Sequence, residues 1–244
     1  MKLEIGFNQL FEVRHEHYKA SSERFTILFI SDLHFNRFTK SLAGRVIKAV
    51  NEWNPDILLL GGDYCDGRGA SVHLQTLLAG ISGRKNVFGI SGNHDVLFGE
   101  PKIISLFRQH QVPWIEKQSV QCSVGNITVQ IDGSQPAVRK PDSDFSVLCL
   151  HQPKSIGRYA DEYDMVFAGH LHGGQFVLWQ KGEALYPGRY FFRWNVLKEK
   201  VGNCWYYISK GIGDTFPLRW NCKREILLVS VGNDACINPL KTIG

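Results

Sequence analysis

FTILFISD (residues 25–32) and DILLLGGD (56–63) decide the fold. Each is a continuous apolar run that ends in an aspartate. A strand covered on both faces reads this way, because neither side of its pleat meets water. Between them, SLAGRVIKAVNEW (41–53) spaces its apolar residues for a helix, with Thr39 or Ser41 as the N-cap and Pro55 as the stop. Working outward, SVHLQTLLAGI (71–81) is again helical and NVFGISGN (86–93) is a strand. PKIISLFRQH (101–110) is a third helix, with Pro101 suited to the first turn. This βαβαβα order predicts a mainly parallel sheet with helices packed on it.

The second half changes character. QSVQCSVGNITVQIDG (118–133) places a Gly-Asn turn between two alternating segments, which predicts a hairpin. FSVLCLH (145–151) and DMVFAGH (164–170) are buried strands, and after residue 174 the pattern reads as strand throughout, in QFVLW, NCWYYIS and REILLVSV. With no internal repeat and no low-complexity linker, residues 1–244 are expected to form one α/β domain with two sheets.

Composition narrows the class. A chain of 244 residues with 43% hydrophobic and 21% charged residues is globular. No stretch approaches the roughly 18 apolar residues of a membrane span. The first 24 residues hold charges and three aromatics but no apolar core of signal-peptide type, so a soluble, cytoplasmic chain is expected. The net charge of +5 favours an anionic substrate or an acidic membrane surface, and without a dense Lys/Arg run no specific nucleic-acid partner is expected. The six cysteines are spread singly with no CxxC pair, which argues against a zinc knuckle. Cys149 and Cys204, in apolar surroundings, read as buried thiols of a reducing compartment.

The chemistry gathers at the strand ends. The apolar runs finish in Asp32-Leu33-His34, in Asp63, in Gly92-Asn93-His94-Asp95, in His151, and in Gly169-His170-Leu171-His172. Ligands of parallel α/β sheets bind outside the carboxyl ends of the strands, so five strands deliver polar residues to one edge. Each piece alone has a bland reading: a turn, an N-cap, a core histidine. Together they hold five of the nine histidines, in order and all at strand ends, which packing needs do not demand. Oxygen and imidazole donors without thiolate suit Mn, Fe, Zn or Ni. Side chains repeating every second residue would send Asp32 and His34 to the same side. A lone carboxylate at Asp63 is the natural bridge between two cations, and two cations about 3.5–4 Å apart can clamp a phosphate and activate water. His94, with a pKa naturally near neutrality, is the candidate general acid, and Asp95 could hold its ring. The competing reading makes His94 a ligand and Asp95 a turn former.

These blocks resemble the calcineurin-like metallophosphoesterase superfamily, whose motifs run D-x-H, G-D-x-x, G-N-H-[DE], H and G-H-x-H. The tail ISKGIGDTFPLRWNCKREILLVSV (208–231) is similar to that of the bacterial YaeI/YkuE-like phosphodiesterase subgroup. The resemblance implies a four-layer αββα sandwich of two mixed β-sheets flanked by helices. It implies two divalent metal ions, manganese favoured. One would sit on Asp32, His34, Asp63 and His172, the other on Asp63, Asn93, His151 and His170, with His94 as acid or phosphate donor. Cys65 departs from an aliphatic preference and, so near the metals, is expected to be oxidation-sensitive.

The expected activity is hydrolysis of a phosphodiester. A nucleotide-lipid pyrophosphatase of UDP-diacylglucosamine type, a phosphomonoesterase and a non-catalytic scaffold on the same fold are the alternatives. WQKGEALYPGRYFFRWNV (179–196) mixes six aromatics with three basic residues, and FPLRW adds Phe216, Arg219 and Trp220. One reading makes these aromatics core. The other makes them a basic, aromatic-rimmed lip for a lipid-linked phosphate ester or an anionic inner-membrane face, with Arg219 meeting a phosphate.

Overall fold

A computed structural model describes residues 2–6, 9–20, 24–67, 69–134, 142–153, 159, 161–214, 216–233 and 242–243; Cys236 lies outside them. The elements in chain order are β1 (Leu3–Ile5), β2 (Phe11–Lys19), β3 (Phe25–Ile30), α1 (Leu42–Trp53), β4 (Ile57–Leu60), α2 (Ser71–Ile81), β5 (Val87–Gly89), α3 (Asn93–Phe98) and α4 (Glu100–Gln109). Then follow β6 (Ser119–Val124), β7 (Ile127–Asp132), β8 (Phe145–Cys149), β9 (Met165–Ala168), β10 (Val177–Lys181), β11 (Ala184–Pro187), α5 (Gly188–Phe191), β12 (Lys198–Val201), β13 (Cys204–Ile208), β14 (Leu218–Trp220), β15 (Glu225–Gly232) and β16 (Thr242–Ile243).

Two six-stranded mixed sheets carry the fold, in the orders β16-β2-β15-β3-β4-β5 and β12-β13-β9-β8-β7-β6. In the first, β3, β4 and β5 run parallel and β15 runs antiparallel to β3. In the second, β7, β8, β9 and β13 run parallel and β6 closes one edge as a hairpin through Gly125-Asn126. The period of two along β3 divides the core. Phe25, Ile27 and Phe29 point at the second sheet, against Val147, Met165 and Phe167. Leu28 and Ile30 point the other way, into a layer with Val46 and Val50 of α1, Leu74 and Leu78 of α2, and Phe107 of α4. This is the expected α/β sandwich of two mixed sheets flanked by helices. Among the described residues, no helix is long and apolar enough to cross a membrane.

Several local expectations need correction. β2 carried no legible signal, because its alternate residues Arg14 and Glu16 are charged and pair with Glu225 and Lys198 across the structure. Ser41 occupies the N-cap of α1 but makes no capping side-chain bond. Thr39 instead ties the loop to Asn36, its hydroxyl accepting from the Asn36 amide at 2.9 Å. The region after residue 174 is not all strand, since α5 interrupts it. The five strand ends do not share one sheet: β3, β4 and β5 belong to the first, β8 and β9 to the second.

Candidate active site

The first sheet brings Asp32, Asp63 and Asn93 to its carboxyl edge, and the second brings His151, His170 and His172 to meet them. Asp32, His34 and His172 form one group whose ligand-type atoms all lie within 4.8 Å of one another; Asp63, His151 and His170 form another. Asp63 stands between them, its Oδ2 3.2 Å from Nε2 of His151 and 3.8 Å from Nε2 of His34. The Oδ1 of Asn93 lies 3.0 Å from the same His151 nitrogen. His34 and His172 face each other through their Nε2 atoms at 3.2 Å.

Backbone geometry marks these residues out. Asp32 (φ 56°), His34 (φ 43°), Asp63 (φ 56°), His170 (φ 71°) and His172 (φ 50°) are all left-handed. For a residue with a Cβ this costs about 1–2 kcal/mol. Such strain persists only where the surroundings over-determine it, and it clusters at functional sites. Here the two turns after β3 and β4 lace together: Asp32 donates to Gly62 O at 3.0 Å, His34 to Asp63 O at 2.9 Å, and Phe35 to Tyr64 O at 2.8 Å. Asp32 and His34 therefore converge through left-handed turns, not through the strand pleat that their spacing invoked. Glycine is required beside them: a Cβ at Gly92 would land on the Asp63 carboxylate, and one at Gly169 on that of Asp32.

Hydrogen bonds set the tautomers. Nδ1 of His151 is 2.8 Å from Gly61 O, which can only accept. That ring therefore carries a hydrogen on Nδ1, and Nε2 is the atom turned toward Asp63 and Asn93. Likewise Asp66 accepts from Nδ1 of His34 at 2.9 Å and from Nδ1 of His94 at 2.8 Å. Burial alone would lower His151, but the Asp63 and Asp32 carboxylates raise it to about 9. Burial would likewise lower His34, but the Asp66 carboxylate, with Asp32 and Asp63, raises it. Burial would raise Asp63, yet its contacts with His151 and His34 hold it below the usual carboxylate range. His172 is pushed well down by burial, then by His34 and Arg219.

Three expectations about neighbouring residues change. Asp95 does not hold the His94 ring; Asp66 does. The Asp95 carboxylate instead accepts the amides of Gly92, Asp63 and Tyr64, each at 2.8 Å, pinning the turn that carries Asp63 to the start of α3. Arg219 is not on a lip. It is fully buried, with Nε on Asp214 at 2.5 Å and Nη2 on Nδ1 of His172 at 3.1 Å. Cys65 is buried, and burial pushes its thiol up to about 12, which removes the thiolate that oxidation needs. Asp66 was missed, although a second carboxylate three residues after Asp63 was a visible signal. The Arg219–Asp214 pair left no local signal at all.

A cleft of about 510 Å³ opens beside Asn93 and His151, with Val96, Lys117, Gln152 and Tyr159 on its walls.

The sequence profile of the calcineurin-like phosphoesterase family matches residues 25–174. The chain is 28% identical to the phosphodiesterase YaeI of Escherichia coli (strain K12), over 93% of this chain and 90% of the relative. It is 26% identical to the metallophosphoesterase YkuE of Bacillus subtilis (strain 168), over 85% of this chain and 79% of the relative. Among solved structures, a dimetal phosphatase from Danio rerio is 12% identical, with a TM-score of 0.49, over 79% of this chain and 89% of that one.

Proposed function

This chain belongs to the calcineurin-like phosphoesterase family and is a hydrolase of phosphoester bonds; within that class we propose that it cleaves a phosphodiester at a dinuclear metal centre. One observation carries the reading: Asp63, grouped with His151 and His170, turns the same Oδ2 to His151 at 3.2 Å and to His34 of the other group at 3.8 Å. Asp32, His34 and His172 would hold one cation, His151, His170 and Asn93 the other, and Asp63 both. The donor set fits. It is all oxygen and imidazole, and His34 and His151 aim Nε2 inward because their Nδ1 hydrogens are engaged. Such a set suits Mn, Fe, Zn or Ni, and we favour manganese. Bound there, two divalent cations supply charge to the phosphoryl oxygens and acidify the attacking water.

The side chains do the rest. Asp66 fixes Nδ1 of His94, so the proton for the leaving oxygen comes from Nε2. The attacking water gives up its first proton to solvent, the bond to its oxygen forms as the bond from phosphorus to the leaving oxygen breaks, and its second proton, carried on the new phosphoryl oxygen, restores His94. The products are a phosphomonoester and an alcohol. Residues 1–244 would act as one domain, a reading supported by the parallel pairing of β2 with β15. A lipid-linked diester, met at a membrane surface from the cytoplasmic side, is the substrate favoured by the exposed aromatics that follow His172.

Hydrolysis of bis-p-nitrophenyl phosphate against the p-nitrophenyl monoester, after chelation and Mn²⁺ add-back, tests the proposal. Turnover of the diester that returns with metal is expected. Turnover of the monoester alone would make the protein a phosphatase, and turnover of neither would leave the scaffold reading.

A further inference from the structure

The segment that follows His172 does not behave as core. Tyr190 is 72% exposed, Phe191 77% and Phe192 55%, and Leu178 and Trp179 beside them are also exposed. The rings are ordered against one another. Trp179 stacks on Tyr186 at 5.1 Å and 3°, and Tyr190 meets the Tyr186 ring edge-on at 5.0 Å. Folded monomers rarely leave such a contiguous apolar surface uncovered.

This surface is fastened to the candidate site. The buried Asn195 donates through Nδ2 to Leu185 O at 2.8 Å, in β11, and to Gly173 O at 3.3 Å, in the turn after His172. Gly188, the first residue of α5, lies so close to Asn195 that it has no room for a Cβ. A Cβ on Gly174 would in turn sit 3.6 Å from Gly188 Cα. The aromatic element and the His172 turn are therefore one packed unit. On the far side of the site, α3 begins at Asn93 and exposes Val96 and Leu97, so apolar side chains flank both metal-ligand groups.

Charge selects the occupant. From Phe176 to Lys200 the chain carries five cations (Lys181, Arg189, Arg193, Lys198, Lys200) and two carboxylates (Glu183, Glu199); Arg189 and Arg193 share Glu199, and with Glu16 of β2 counted against Lys198 the surface keeps a net of +2. A symmetric interface with a second copy would set this charge against itself. An anionic bilayer would complement it. Trp and Tyr, with an apolar body and a polar tip, suit the headgroup level, and bare phenyl rings suit the acyl boundary below. We propose that the β10–β11 hairpin and α5 form a docking surface for an anionic membrane, which brings the His172 side of the site to headgroup depth. This deepens the phosphodiesterase reading by placing its substrate at a bilayer, but membrane binding can be measured without catalysis.

Co-sedimentation with phosphatidylglycerol/phosphatidylcholine vesicles and with pure phosphatidylcholine vesicles tests the proposal on the full chain. The protein is expected to bind the anionic vesicles, more weakly as salt rises, and to leave the neutral ones in large part unbound. The double variant Phe191→Ser, Phe192→Ser should lose at least tenfold in partitioning, and Arg193→Glu should lose binding to anionic vesicles preferentially. Both variants should keep the wild-type circular dichroism and the wild-type rate on bis-p-nitrophenyl phosphate. Failure of the wild type to bind anionic vesicles, or unchanged binding by both variants, overturns the proposal. A concentration-dependent dimer that the phenylalanine variant abolishes, without vesicle binding, assigns the surface to a second copy and overturns it too. Loss of diester hydrolysis in every protein, with vesicle binding intact, would count against the phosphodiesterase reading and not against the docking surface.

Discussion

Replacing Asp66 by asparagine should separate metal affinity from turnover, and the structure says which suffers more. Oδ1 of Asp66 serves both histidines, at 2.9 Å from His34 and 2.8 Å from His94, while Oδ2 serves His34 alone, at 3.0 Å. In Asp66→Asn an oxygen kept at the Oδ1 position still accepts from His94, as a neutral amide in place of a carboxylate. A charge-assisted bond is roughly twice as strong as a neutral one, and losing that difference costs about 1–1.5 kcal/mol, roughly tenfold in turnover. The amide nitrogen then takes the Oδ2 position and turns its hydrogens toward the Nδ1–H of His34. That ring keeps Oδ1 as a neutral acceptor at 2.9 Å but now also faces a donor at the Oδ2 position, so it is oriented less firmly. Losing such an orienting carboxylate costs about 10- to 100-fold in metal affinity. Metal titration by mass spectrometry and turnover of bis-p-nitrophenyl phosphate at saturating Mn²⁺ read the two effects separately. At saturating metal, Asp66→Ala should fall close to His94→Ala, a loss of about 10²–10⁴-fold, and the double variant should be little worse than either. Wild-type metal affinity in Asp66→Asn, or fully multiplicative losses in the double variant, would refute the reasoning.

Other outcomes follow from the same contacts. Asp63→Ala should lose both metals, and a normal two-metal content by elemental analysis would contradict its bridging role. His94→Ala should keep its metals while losing turnover; loss of metal would make His94 a ligand. Gly169→Ala drives a Cβ into the Asp32 carboxylate and should abolish metal binding with little change in the far-ultraviolet spectrum. Glu225 is fully buried against Arg14 at 3.0 Å and Lys210 at 2.8 Å, so Glu225→Gln should cost about 3–5 kcal/mol at pH 7 in denaturant melts. Burial would raise the Glu225 carboxyl, but Arg14 and Lys210 hold it below its usual 4.5. Its contribution is therefore complete above pH 4.5 and fades as pH falls through the depressed value, and the gap between variant and wild type should narrow in acid.

The parts of the fold that were legible share one physical property. FTILFI and ILLL are covered on both faces, so burial alone dictates their composition, and β3 and β4 stand where those runs predict. β2 is a longer strand but was illegible, because its partners are charges that arrive from Lys198 and Glu225, far along the chain. α3 was hidden inside a ligand motif: its six residues begin on Asn93 itself. The aromatic segment could be read either way, since composition cannot tell an aromatic that faces a sheet from one that faces solvent. The exposure of Trp179, Tyr190, Phe191 and Phe192 decides it. In the site, residues at strand ends were legible, but those acting through a second residue were less so. Asp66 sits three residues from Asp63 and could have been found. Arg219 reaches His172 from 47 residues away, and no local pattern announces it.

The candidate ligands are divided between the two sheets. No strand is shared by the Asp32, Asp63 and Asn93 half and the His151, His170 and His172 half, so their separation is set by what lies between the sheets. Beneath the site, Phe29 of β3 stacks on Phe167 of β9 at 5.3 Å and 28°, and Phe167 stacks in turn on Tyr207. Above that stack the halves bond directly: His151 to Gly61 O at 2.8 Å, and the His170 amide to the Asp32 carboxylate at 3.0 Å. Gly169, after β9, is pressed against Ser31 and Asp32, after β3, so it cannot carry a side chain without spreading the sheets. Close-packed interiors transmit such volume changes instead of absorbing them. The apolar runs that decide the fold therefore also set the distance between the two groups of donors, and the left-handed turns at their ends aim those donors.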